Sequence, residues 1–104
     1  MRPAHWLAGL FLPLLAGPAL PAGDDLPARL QARNRAASCM TCHGAGPMPA
    51  LSGRPQAEIV AAMRAFRDGS RESTVMQQIA RGYTDAQVVA IAAWLAAEPA
   101  PARP

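Results

Sequence analysis

The densest chemistry in the chain lies between Ser38 and Gly44, SCMTCHG, where Cys39 and Cys42 are separated by two residues and His43 follows directly. That pattern supports three chemistries. Two thiols at this spacing can cycle with a disulfide, supply half of a zinc site, or add to the vinyl groups of a porphyrin while the contiguous histidine reaches the iron from one side. Each makes a different demand on the rest of the chain.

The surrounding elements come first. Arg2 and His5 precede an apolar run from Trp6 to Gly17, interrupted by Pro13, and then small residues and prolines up to Gly23. This order predicts a secretory signal peptide over 1–22, cut after Ala22 or Ala19, and a periplasmic mature protein. The run is too short, and broken by proline, to span a bilayer, so no stable membrane insertion is expected after cleavage. The 23–98 segment is read as one domain. At this size a side-chain core alone gives only about 3–5 kcal/mol, so something besides side chains is expected to complete it.

Within that domain, Ala28–Ala37 reads as a helix leading into Cys39. Gly44–Pro55 carries three glycines and three prolines before Gln56 and must be a loop. Ile59, Val60, Met63 and Phe66 mark a second helix from Gln56 to Arg67, closed by Asp68 and Gly69. A short third helix is expected from Ser73 to Ala80. Thr84 with Gln87 is a capping-box pair opening a fourth, with Val88, Ile91, Ala92 and Leu95 on its apolar face up to Ala97. The 99–104 tail alternates proline with small residues and reads as disordered. No strand pattern appears, so the fold class is all-α.

Counting ligands decides among the three chemistries. A thioredoxin-like dithiol belongs beside a β-sheet, and the chain shows none. A closed zinc site needs four Cys or His ligands, and only Cys39, Cys42 and His43 remain once His5 leaves with the signal. A disulfide across so short a loop stabilises little. Haem attachment uses all three residues and also supplies the missing core. Ten arginines, no lysine and a net charge of +3 give no concentrated basic face, and nucleic acid is excluded as a partner.

A low-spin iron needs a ligand opposite His43, and methionine is the residue type available. Met40 lies inside the pentad, Met48 follows it too closely, and Met63 falls among helix-core positions. Met76 is a full helix and a turn downstream, far enough to return on the opposite face.

Taken in order, CMTCHG, PALSG and STVM resemble the landmarks of small class I c-type cytochromes. The resemblance implies that the Pro49 carbonyl accepts the proton of the free nitrogen of His43, that Leu51 packs on the ring, and that Thr74 lies near a haem propionate. Helix capping is the other role open to Thr74. The family packs its first and last helices together, small residue against aromatic; Ala32, Ala36 and Trp94 could do this here, although the glycine and aromatic often found in the first helix are missing. The run AFRDGSRESTVMQQIARGYTDAQVVAIAAWLA is similar to the cytochrome subunit of flavocytochrome c sulfide dehydrogenases.

The expectation is one haem c on Cys39 and Cys42, with His43 and Met76 as axial ligands and no open site for bond chemistry. The protein would then be an electron carrier rather than an enzyme. The resemblance implies a flavoprotein partner that carries the flavin and passes electrons to this haem. The other reading is a free carrier between other periplasmic redox proteins, including thiosulfate-oxidation systems.

Overall fold

The computed structural model describes Gly17 and residues 26–102; the expected signal segment otherwise lies outside the described residues. Four helices follow in order: α1 Leu26–His43, α2 Gln56–Asp68, α3 Met76–Arg81 and α4 Asp85–Ala97. Among the described residues there is no strand, and no helix is long and apolar enough to cross a membrane.

α1 starts earlier and ends later than helix propensity alone suggests. Pro27 fits its first turn, where a missing N–H costs nothing. At the other end the helix runs through the whole cysteine pentad. Packing explains the extension: Ala32 and Ala36 are buried, and Cys39 and Met40 pack against the cluster of Ala36, Ile59, Ile91, Ala92 and Leu95. Four-residue spacing keeps Ala32, Ala36 and Met40 on one helix face. Trp94 lies half-buried on the same cluster, so alanines on α1 support the α1–α4 contact where the family often has glycine.

α2 buries Ile59 and closes on Gly69, while Ser70 N donates to Asp68 Oδ1 at 2.8 Å. α3 is shorter than expected because Ser73–Val75 stays outside the helix. Ser73 Oγ accepts from Gln77 N at 2.8 Å, so the hydroxyl that serves the first turn of α3 belongs to Ser73 and not to Thr74. α4 opens with the full capping box: Gln87 N donates to Thr84 Oγ1 at 3.2 Å, and Thr84 N donates to Gln87 Oε1 at 3.0 Å.

Arg67 ties α2 to this cap, donating to Asp85 Oδ1 at 2.7 Å and to the Tyr83 carbonyl at 3.1 Å. The Tyr83 hydroxyl in turn lies 3.3 Å from Ser38 Oγ on α1, beside Cys39. Among the described residues, half of the buried apolar ones are alanines: Ala32, Ala36, Ala80 and Ala92, against Ile59, Val88, Ile91 and Leu95. So thin a side-chain core leaves room for a large apolar body between α2, α4 and the α1 terminus.

Candidate functional site

The last turn of α1 carries Cys39, Cys42 and His43, with Cys39 and His43 four residues apart and therefore on one face. The chain leaves the helix immediately afterwards, and Gly44 N donates to the Met40 carbonyl at 2.9 Å. A Cβ at Gly44 would stand 2.5 Å from that oxygen, so only glycine allows this exit.

The turn brings Pro49 back to the histidine: His43 Nδ1 and the Pro49 carbonyl oxygen are 2.7 Å apart. A carbonyl can only accept, so Nδ1 carries a proton, and in the neutral imidazole it is Nε2 that holds the lone pair. The imidazole is thereby held in the tautomer a metal requires.

Cys39, Cys42, His43, Pro49, Leu51, Thr74 and Met76 all line one cavity of about 490 Å³. Its walls come from the end of α1, the loop that follows, α2, the 71–76 segment and α4. Ile59, Phe66, Val88 and Ile91 make them largely apolar, and the charged lining residues are Arg54, Glu58, Arg71 and Glu72. The Arg71 guanidinium stands 4.7 Å over the Phe66 ring, an attraction between cation and ring face. Both cysteines are free thiols; Cys42 is exposed, and partial burial pushes the Cys39 thiol above its ordinary pKa.

The methionines separate by position. Met40 is on the other side of α1, near Trp94, where Ser52 Oγ donates to its sulfur at 4.0 Å. Met48, Met63 and Met76 all reach the cavity. Met63 also packs on the core cluster, so it is both helix core and cavity wall. Met76 is half-buried at the first position of α3.

Sequence reasoning gave no cavity role to Phe66, Arg71 or Tyr83. Their positions follow from how α2 and α4 meet the 71–83 segment, and the only sequence signal was the run of residues carrying the family resemblance.

A porphyrin fits this site on three counts. The volume falls within the roughly 300–1,000 Å³ of cofactor pockets. Two thiols and an imidazole with a free Nε2 share one wall. The remaining donor class is a thioether, which with imidazole suits haem iron and not a hard cation.

Residues 25–95 match the family model described as cytochrome c oxidase, cbb3-type, subunit III. The chain belongs to that family. It is a cytochrome c domain with one attachment pentad, and its four helices form the class I fold.

This cytochrome is 38% identical to the thiosulfate dehydrogenase electron acceptor of Thiomonas intermedia (strain K12), over 84% of this chain and 44% of that protein. It is 36% identical to the thiosulfate dehydrogenase electron acceptor of Stutzerimonas stutzeri (strain A1501), over 97% and 51%. With the cytochrome subunit of sulfide dehydrogenase of Chlorobaculum tepidum it shares 38% identity, over 53% and 54%. The chain spans about half the length of these curated relatives.

Proposed function

We propose that the cavity holds one haem c, and that the protein is a periplasmic carrier of single electrons. The observation that carries this reading is the 2.7 Å approach of His43 Nδ1 to the Pro49 carbonyl, which prepares Nε2 as a metal ligand inside a cavity also lined by Cys39 and Cys42. When bound, haem supplies an iron couple that cycles between ferrous and ferric.

The chain's residues have separate tasks. Cys39 and Cys42 would anchor the ring through thioether bonds, and His43 would be one ligand of its iron. Met76 would be the second; its place beyond α2, at the start of α3, favours it over Met48 on the histidine's own loop and over Met63, which also packs on the core cluster. Leu51 and the apolar walls would exclude water, and Thr74 would meet an acidic group of the ring. Held by two protein ligands, the iron would serve electron transfer and not bond chemistry.

The electron donor is read as a dehydrogenase acting on a reduced sulfur compound. A flavoprotein that oxidises sulfide, itself carrying the flavin, is one candidate. A thiosulfate dehydrogenase is the other, and it is favoured by the longer stretch of this chain that aligns with electron acceptors of that name. Met48, Val75 and Ile79 all line the cavity and are 48%, 58% and 39% exposed, an apolar rim suited to contact with a protein partner.

The test is reconstitution. The purified ferric protein is mixed with thiosulfate and a thiosulfate dehydrogenase, or with sulfide and a flavoprotein sulfide dehydrogenase, and haem reduction is followed by absorbance. Reduction within seconds in one mixture, at one electron per chain, is expected. Failure to retain a covalently bound haem after denaturation overturns the reading.

A further inference from the structure

The loop between Pro49 and α2 is fastened at successive residues. The Pro49 carbonyl faces His43 Nδ1 at 2.7 Å, the Ala50 carbonyl accepts from Arg54 Nε at 2.8 Å, and the Leu51 carbonyl accepts from Arg54 N at 3.2 Å. The first ties the loop to α1, as does Ser52 Oγ, which donates to Met40 Sδ at 4.0 Å, and the other two shape the loop itself. The bond from the loop to α4 is made by Gly53, whose N donates at 2.9 Å to the carbonyl of Leu95, the most buried large side chain of α4.

Gly53 has φ +76, a left-handed conformation that side chains resist. A Cβ there would also stand 2.8 Å from Ala100 Cβ and 2.9 Å from Ala100 N. The segment after α4 therefore lies directly against this loop, with Glu98 N donating back to the Leu95 carbonyl at 3.2 Å. That carbonyl has no partner further along α4, because the helix ends at Ala97, so it is free to accept from both.

We infer that Gly53 is a positioning residue for His43: its N–H bond to the Leu95 carbonyl, walled in by Ala100, anchors the loop whose Pro49 carbonyl orients the imidazole. The end of α4 and the residues after it thus set the strength of the Nδ1–H bond, although none of them touches the histidine. The consequence for iron rests on the haem reading above. A carbonyl on Nδ1–H makes the imidazole more electron-rich and favours ferric iron.

The test compares the haem-loaded full chain with Gly53→Ala, following solvent exchange of the His43 Nδ1 proton by nitrogen-edited NMR and measuring the reduction potential alongside. Exchange about tenfold faster is expected, the scale of one weakened hydrogen bond, together with a raised potential and unchanged iron–methionine absorbance. Exchange and potential both at parent values overturn the inference, whatever happens to thermal stability.

If Gly53→Ala does not fold, a chain ended after Glu98 removes the Ala100 wall without straining Gly53. Faster exchange supports the inference, and the parent rate overturns it. If the chain holds no haem, the function proposed above fails; a haem-loaded chain in which both variants keep the parent exchange rate overturns the role of Gly53 alone.

Discussion

The 2.7 Å contact between His43 and Pro49 depends on a chain reversal that begins one residue after the helix. Gly44→Ala places a methyl against the Met40 carbonyl and should unwind the last turn of α1, moving His43 away from Pro49. The expected result is destabilisation by about 1–3 kcal/mol in denaturant melts, with part of the protein lacking iron–methionine absorbance. The methionines give a sharper contrast. Met76→Ala should lower the reduction potential, since thioether ligation raises it, whereas Met63→Ala should cost about 2–3 kcal/mol of stability through lost packing and leave the potential in place. Electrochemistry and thermal melts on the two variants separate these effects; a reversed pattern assigns the ligand to Met63. Cys39, Cys42 and His43 were legible because their spacing is itself the chemistry. Chain length singled out Met76 as the candidate second ligand, and the structure places it on the cavity wall together with Met48 and Met63. Ser73 was not legible: Ser73 and Thr74 both carry hydroxyls just before α3, and which one turns to the Gln77 N–H depends on the backbone path.

At the scale of elements, the Thr84–Gln87 pair and the Arg67–Asp85 contact hold the start of α4 against α2. Thr84→Ala removes one of the two reciprocal cap bonds and should cost about 1 kcal/mol, a fall in melting temperature of roughly 4–8 °C for a domain of this size. Asp85 adds a pH dependence. Hydrogen bonding and charge from Arg67 hold its carboxyl below the ordinary aspartate range, so the folded state binds fewer protons than the unfolded chain there. Its stabilisation is complete above about pH 4, the ordinary aspartate value, and drains away as pH falls through the lowered folded value. The stability gap between parent and Asp85→Asn should therefore be present at pH 7 and close in acid; a gap that persisted at pH 2 would contradict the assignment. The capping box could be read directly because its residues are three apart. The true ends of α1 could not, because Cys39 and Met40 stay helical through contacts with α4, which lies more than forty positions downstream. The Gly53–Leu95 bond was hidden for the same reason, inside a stretch that sequence marks only as a proline–glycine loop.

For the whole molecule, a thin alanine-rich core and a large apolar cavity go together, leaving space that a prosthetic group would fill in place of bulky side chains. The all-helical class and the need for such a group followed from chain length and pattern. The apolar rim did not, because helical periodicity cannot tell whether Val75 and Ile79 face inward or toward a partner. If the proposed dehydrogenase is the donor, Val75→Glu should slow electron delivery from it by about tenfold, equivalent to ~1.4 kcal/mol of association, without moving the reduction potential; stopped-flow reduction at several dehydrogenase concentrations checks this. The central claim is that His43 and Met76 close the iron from both sides, and carbon monoxide added to the dithionite-reduced protein at neutral pH tests it most directly. The parent spectrum should stay unchanged while Met76→Ala binds the gas stoichiometrically. Rapid, stoichiometric binding by the parent protein would contradict the closed site.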